Sequence, residues 1–423
     1  MKQSKFPYRL SEIESNQGIL FSHEGASPGC HCPMHTALSA IRNIEGLSSL
    51  VVGMPECSFY SRYVMDTPIG PNKELHYTYV LDSNEVVFGC RDGLTKALEE
   101  MERDNAKAIV VIMTCIPALI GEDIAEIAEA FCEEHVTKAV CIDLAHYKRN
   151  GYEAGFYESY QALLSFCVKQ NRIDNQVAFL GSCSGEEGNF LKLSLKNNAF
   201  EILEINAFFS IAEFQRVTAS RLTIVTQIHF LPLAKRLEQE YHIPYIFLAG
   251  SYSIKAINKC YQQIQEQLTL SEAFDFTSFN SLLQKENEIR KKFKNSRFVI
   301  TAVVEDVLLL TEYLCSLSMK PCLLHLEEYR VFMREWKEKI LAYSVNPLIT
   351  YMVQDEPVAK LLKEADFLST KEDIRLCIGN RFDEDVVCIK TGRFQVPFIG
   401  YERTLTLLTQ MENAYKEEAY ATI

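Results

Sequence analysis

Short, nearly continuous apolar runs alternate with stretches of helical period along the whole chain. LSSLVVGM (47–54) and KAIVVIMTC (107–115) come first, each followed by turn residues, and EDIAEIAEAFCEEH then carries apolar residues at helical spacing. A second group begins with QVAFLGS (176–182) and continues through FEILEIN (200–206), RLTIVTQIHF (221–230) and IPYIFLAG (243–250). The third comprises RFVITAVV (297–304), PCLLHLE (321–327), LITYMV (348–353), LCIGNRF (376–382) and VPFIG (396–400). Short apolar runs bounded by turn signals and separated by helices read as strands buried on both faces, the pattern of parallel sheets.

The fold class is therefore read as α/β, with three doubly wound parallel-sheet (Rossmann-like) domains around a central cleft. Their predicted limits are 1–174, 175–280 and 297–423, the last ending in a C-terminal helix. Residues 281–296 belong to the polar, helix-prone stretch SLLQKENEIRKKFKNSR, read as a connector. The charges of that stretch, Arg290-Lys291-Lys292 included, are expected on a solvated face, with docking as the lesser reading. A length of 423 residues agrees with this division, because single cores seldom grow beyond about 250–300 residues.

Composition narrows the partners. Forty-three Lys+Arg against 56 Asp+Glu leave a net charge of −13, which excludes a nucleic-acid backbone or an anionic membrane as the principal partner. No run approaches the roughly 18 apolar residues of a membrane helix. The opening MKQSKFPYRLSEIESNQG is polar where a secretory signal would be apolar, so the expected location is cytoplasmic. Fourteen cysteines spread over such a chain are expected to be reduced, and most of them to pack as small hydrophobes.

Three of them fall elsewhere. Cys57 follows an apolar strand broken by Gly53 and Pro55, Cys115 ends IVVIMTC, and Cys32 sits in the loop SPGCHCPMHTAL just before a helical run. Ligands of open parallel sheets bind beyond the carboxyl ends of the strands, so these thiols are placed to converge on one crevice. Thiolates there suit iron–sulfur clusters or zinc. The absence of a tight C-x-x-C pair speaks against a zinc ribbon or a ferredoxin loop. Three thiols fall one short of a four-cysteine cluster, so a fourth ligand or a subunit interface is required. The C-x-C of Cys30 and Cys32 leaves open which of the two is the ligand.

Other features favour plain structural roles. There is no P-loop, no G-x-S-x-G and no H-E-x-x-H. GSCSGEEGN (181–189) is glycine-rich after a strand but lacks the dinucleotide fingerprint. His31 and His35 flank Cys32 within reach of a cluster sulfur, and His229 follows a second-domain strand; packing is the better reading for each. Cys141, Cys167, Cys260, Cys315 and Cys322 fall in strand or helix patterns and read as core.

The segments CPMHTAL (32–38), VVGMPECSFYSRY (51–63), NEVVFGCRDGLTKAL (84–98) and TCIPALIGEDI (114–124) resemble the component 1 proteins of nitrogenase and their relatives. RLTIVTQIHFLPLAKRLEQEYHIPYI (221–246) and VPFIGYERTLTLLTQM (396–411) continue the resemblance in order along the chain. The separations of Cys32, Cys57 and Cys115 look like those of the β-type subunit. The resemblance implies that these three cysteines are one subunit's share of an iron–sulfur cluster held at a subunit interface. That cluster is 8Fe-7S (the P-cluster) in nitrogenases proper and 4Fe-4S in the tetrapyrrole-reducing relatives. It further implies two partners: an ATP-hydrolysing iron protein that supplies electrons, and a homologous sister subunit or second copy.

The expected function is that of a nitrogenase-like oxidoreductase subunit relaying electrons to a substrate or cofactor site. A cofactor-maturation scaffold or a tetrapyrrole reductase subunit is the alternative within the superfamily, and a cluster-free binding or regulatory protein the alternative outside it. Two departures bear on the choice. The strand end that carries a cofactor cysteine in α subunits reads TQIHF here, and the last histidine, His325, lies well before GYERTL. Around HYKRNG, where β subunits carry a serine near the cluster, the chain has His146 and Tyr147.

Overall fold

Each of the three apolar groups folds as a parallel sheet. The computed structural model describes residues 8–16, 19, 32–65, 67–148, 151, 153–270, 274, 281–351, 375–379, 387–389 and 399–421. Cys30 and His31 lie outside these residues. The described residues group into two compact units. One is drawn from Pro28–Ser182 and Ala199–Tyr245, the other from Met1–Ser27, Cys183–Asn198 and Ile246–Ile423.

In the first unit α1 (Pro33–Ile41), β1 (Ile44–Glu45), β2 (Ser48–Gly53), α2 (Pro55–Ser61), β3 (His76–Val80), α3 (Glu85–Phe88) and α4 (Arg91–Arg103) follow in order. They are succeeded by β4 (Ala108–Met113), α5 (Cys115–Ile120), α6 (Ile124–Glu134), β5 (Lys138–Asp143) and α7 (Glu153–Ala162). The sheet order is β3-β2-β4-β5, with Leu50 opposite Tyr77 on one side and Val111 on the other. Helices bury one stripe against it: Leu94, Leu98 and Met101 of α4 and Ile124, Ile127, Ala128 and Phe131 of α6, the spacing of an amphipathic helix. Burying one such Leu or Ile side chain is worth about 1.5–3 kcal/mol. The edge strands β3 and β5 were not marked by apolar runs, because HYTYV and KAVCID are only half-buried and mix polar with apolar positions.

The second apolar group supplies β6 (Ile173–Leu180), α8 (Gly185–Asn197), β7 (Glu201–Ile205), β8 (Phe209–Ser210), β9 (Ser220–Val225) and β10 (Tyr245–Phe247). The sheet order is β10-β9-β6-β7, and β6 pairs in parallel with β7 and β9. The strand expected over 221–230 is shorter than its apolar pattern: it ends at Val225, and Ile228–Phe230 forms a 3-10 turn. The small sheet joins β1 to β8 through Ile44 and Phe209.

The third group, in the second unit, forms β11 (Arg297–Ile300), β12 (Lys320–His325), β13 (Leu348–Thr350), β14 (Arg375–Ile378) and β15 (Val387–Ile389), ordered β13-β12-β11-β14-β15. The amino-terminal segment covers the β13 edge: Ile349 donates its amide to the Tyr8 carbonyl at 2.8 Å, and Leu10 to Pro347 at 2.9 Å. Such cover protects an edge from pairing with another chain. The connector is the helix Leu282–Lys292. Its basic cluster is not simply a solvated face: Arg290 donates to the Ser316 carbonyl at 2.7 Å, and Lys292 lies 4.5 Å from the centre of the Tyr415 ring. VPFIG does not end as a strand either, because Gly400 begins the C-terminal helix Gly400–Ala421; residues 396–398 lie outside the described set. No helix among the described residues is long and apolar enough to cross a membrane.

That helix start explains GSCSGEEGN. Glu187, in the first turn of α8 and buried, accepts hydrogen bonds from the Tyr401 amide (3.1 Å), the Glu402 amide (2.7 Å) and the Tyr261 hydroxyl (2.5 Å). Glu402 answers by accepting the Glu187 amide at 3.1 Å. Two helix amino-termini thus cap each other with carboxylates, each charge placed where the helix dipole favours it. Groups a phosphate would use are engaged in the fold.

Burial pushes the Glu187 carboxyl up to about 7 from its ordinary 4.5, against the lowering pull of its three donors. A carboxyl that holds its proton more tightly when folded stabilises the folded state at low pH. That contribution fades as pH rises from about 4.5 to about 7, by an amount on the order of 3 kcal/mol. Glu187→Gln is therefore expected to flatten the loss of stability over this window. Urea midpoints of both proteins across it are the check, and an unchanged slope in Glu187→Gln would contradict the assignment.

Candidate functional site

The first sheet turns back on itself between two of its strands. The chain goes from β2 to β3 on one side, while β4 occupies the other side of β2. The crevice outside the carboxyl ends of β2 and β4 is the place where such sheets bind ligands. All three predicted cysteines flank it. Cys57 is in the first turn of α2, directly after β2; Cys115 is the first residue of α5, directly after β4; Cys32 is the residue that caps α1. Pro33 and Pro55 open their helices at positions where the missing N–H is not needed. Gly121 closes α5 in the left-handed region at φ 79°.

Two of the thiols are held by hydrogen bonds to their surroundings. The Cys57 thiol donates to the Thr114 hydroxyl at 3.5 Å, and that hydroxyl donates to the Val52 carbonyl at 2.8 Å. The His146 amide donates to the Cys115 sulfur at 3.1 Å. A Cβ at Gly53 would run into the Thr114 hydroxyl and lie 2.8 Å from the Cys57 sulfur, so only glycine leaves this cradle open. Burial pushes the Cys32 thiol up to about 12; the Met34 amide pulls it down, while Cys115 and then Cys57 add to the rise. The three sulfurs therefore share one local field. Burial also holds the imidazoles of His35 and His146 below their ordinary range.

Among the described residues no three His, Cys, Asp or Glu side chains are arranged to hold a single metal ion. An iron–sulfur cluster makes a different demand, since it takes one thiolate per iron rather than several on one point. Soft donors on three separate helix starts, an amide on one sulfur and a cradle that a Cβ would fill all fit such a group.

The surface beside the thiols is apolar and exposed. Phe59 on α2, Tyr63 in the turn after it, Val87 and Phe88 on α3, and Leu119 and Ile120 on α5 all face solvent, Phe88 at 84 % exposure and Tyr63 at 72 %. Helices α3 and α5 adjoin, and Phe59 meets Tyr63 edge to face at 5.9 Å. Exposed apolar side chains grouped on neighbouring helices mark an interaction surface. The sequence reading named the thiols but neither this rim nor Thr114. The signal for Thr114 was its position between an apolar strand and Cys115.

The remaining candidates have structural surroundings. His229 is buried with its ring 4.9 Å from Phe156 and 4.8 Å from Tyr157. Tyr147 is exposed, and Lys148 lies 5.6 Å from its ring while pairing with Asp143. Cys315 is buried, whereas Cys141, Cys167, Cys260 and Cys322 are only half-buried, so the core reading is complete for Cys315 alone. In the second unit His325 is buried at the end of β12, its Nε2 3.5 Å from Glu327.

Comparison with known proteins gives a consistent picture. The description "nitrogenase component 1 type oxidoreductase" matches residues 32–416. The chain is 25% identical over 255 residues to the nitrogenase iron-molybdenum cofactor biosynthesis protein NifE of Nostoc sp., covering 58% of this chain and 52% of that protein. It is 27% identical over 150 residues to the nitrogenase molybdenum-iron protein alpha chain of Methanosarcina barkeri, covering 34% and 28%. The chain thus spans about half, or less, of the length of these curated relatives. Among solved structures, "Nitrogenase Cp1 at pH 6.5" superposes with a TM-score of 0.68 at 13% identity, covering 94% of each chain; that likeness is one of fold.

Proposed function

This chain belongs to the nitrogenase component 1 type oxidoreductases, and from that premise we propose that it is an electron-relaying subunit of a component 1-like assembly. Cys32, Cys57 and Cys115 would hold its share of an iron–sulfur cluster at the interface with a sister subunit or second copy. An ATP-hydrolysing iron protein would supply the electrons, and the destination would be a substrate or cofactor site. The observation that carries this reading is the gathering of the three thiols at the switch point of the first sheet, beside an exposed apolar rim. When bound, a cluster of this kind stores and passes single electrons. The chain's own part is to orient the sulfurs, donate the His146 amide to one of them, and exclude water by covering the rim with a partner. On the strength of the three sheets we also keep the division into domains at 1–174, 175–280 and 297–423 as a proposal.

A second reading has one observation in its favour. NifE proteins recur among the relatives, and their name assigns them to cofactor biosynthesis. The β-type reading rests on the cysteine separations alone.

The rim provides the test. Truncating or charging a buried interface aromatic commonly costs about 2 kcal/mol or more, roughly thirty-fold in association. Phe88→Glu combined with Leu119→Glu is expected to abolish association with the sister subunit or second copy, measured by sedimentation velocity on oxygen-free protein, with loss of iron alongside. Unchanged association in the double variant would contradict the interface.

A further inference from the structure

We propose that Thr114 is a positioning residue that tunes the Cys57 thiolate, its hydroxyl turning from the Val52 carbonyl to the sulfur when Cys57 serves as a ligand. This rests on the cluster reading above and assigns a role to a residue that is not itself a ligand.

Thr114 caps α5, and a threonine in that position ordinarily accepts a hydrogen bond from an amide two or three residues on. Here it makes no such bond. Its hydroxyl is buried at 3 % exposure and aimed the other way, across to β2, where it donates to the Val52 carbonyl at 2.8 Å and accepts from the Cys57 thiol at 3.5 Å. A ligating sulfur is a thiolate and has no proton to give. The contact then persists only if the hydroxyl becomes the donor. Val52 is not orphaned by the turn, because its carbonyl also accepts the Thr114 amide at 3.2 Å. The exchange replaces a neutral hydrogen bond by a charge-assisted one, which is about twice as strong. Gly53 is what makes the contact possible, since any side chain there would displace the hydroxyl or the sulfur.

Hydrogen bonds to cluster sulfurs favour the more negative, reduced state and so raise the reduction potential. Thr114→Val keeps the shape and removes the donor; Thr114→Ser keeps the donor. In the oxygen-free full chain with its partner, the expected result is iron content near wild type in both variants. The midpoint potential, followed by EPR-monitored titration, is expected to shift negative in Thr114→Val and to stay near wild type in Thr114→Ser. If Thr114→Val does not accumulate folded, Thr114→Ala serves the same comparison. Iron-replete Thr114→Val or Thr114→Ala with a wild-type potential overturns this inference and leaves the cluster reading standing. Wild-type protein without iron overturns the cluster reading, and this one with it.

Discussion

Cys115→Ala is expected to bring bound iron to background while leaving the fold in place. Cys115 is the first residue of α5, half-buried at the mouth of the crevice, and alanine is a good residue for a helical position. The structural cost is confined to the His146 amide, which loses the sulfur it donates to at 3.1 Å. An amide left without its acceptor costs about 1–3 kcal/mol, too little to unfold a unit built on this sheet. The chemical cost is one of three proposed thiolates, and with it closure of the cluster. Iron and visible absorption are therefore expected to disappear while far-ultraviolet circular dichroism is retained. Cys141→Ala is the control: that thiol is half-buried on β5, with burial pushing it up to about 12, and its loss should leave iron unchanged. Full iron occupancy in Cys115→Ala would remove it from the ligand set.

Gly155→Ala is expected to have the largest effect of any single methyl group in the first unit. Glycine inside a helix is ordinarily a weakness, and alanine there would add about 0.5–1 kcal/mol of stability. At Gly155 the sign reverses. A Cβ on this residue of α7 would strike the Pro33 carbonyl and the Thr36 hydroxyl and lie 2.5 Å from the Ala37 amide nitrogen, most of these being backbone atoms of α1 that cannot step aside. Overpacking of this kind costs about 1–3 kcal/mol, occasionally more. For a unit of this size that amounts to a fall in Tm of roughly 3–10 °C. Because α1 carries Cys32 at its start, parting the two helices also displaces a proposed ligand, so iron content should fall with Tm. Equal or higher Tm in Gly155→Ala, by differential scanning calorimetry, would mean that α1 and α7 are not in contact as described.

Much of the fold was legible because central strands of parallel sheets are buried on both faces and so announce themselves as apolar runs. β2, β4, β6, β9 and β11 lie where LSSLVVGM, KAIVVIMTC, QVAFLGS, RLTIVTQIHF and RFVITAVV predict. Edge strands carry no such signature: half-exposed β3 and β5 satisfy only one neighbour, and their polar positions hide them. Over-long strands such as 221–230 arose because the apolar run continues past Val225 into a buried 3-10 turn.

The site was legible to the same degree. The thiols stand out in the sequence because they follow strands or precede a helix, where ligands of open parallel sheets bind. Gly155 and Glu187 were not legible, because what they touch is distant in sequence: Pro33 and Ala37, Tyr401 and Glu402; Thr114 was marked only by its place before Cys115, while its partners Val52 and Cys57 are equally distant. The identity of the metal group follows from family resemblance and thiol chemistry, not from spacing.

This chain is proposed to carry part of an iron–sulfur cluster. The most direct test is the iron and acid-labile sulfide content per chain of the full-length protein, prepared without oxygen, alone and together with a component 1-like sister subunit. Iron and sulfide are expected in parallel, near four or eight irons per dimer as for cysteine-ligated clusters. Iron-free, colourless protein in both preparations would contradict it and return the chain to the class of binding proteins built on this fold.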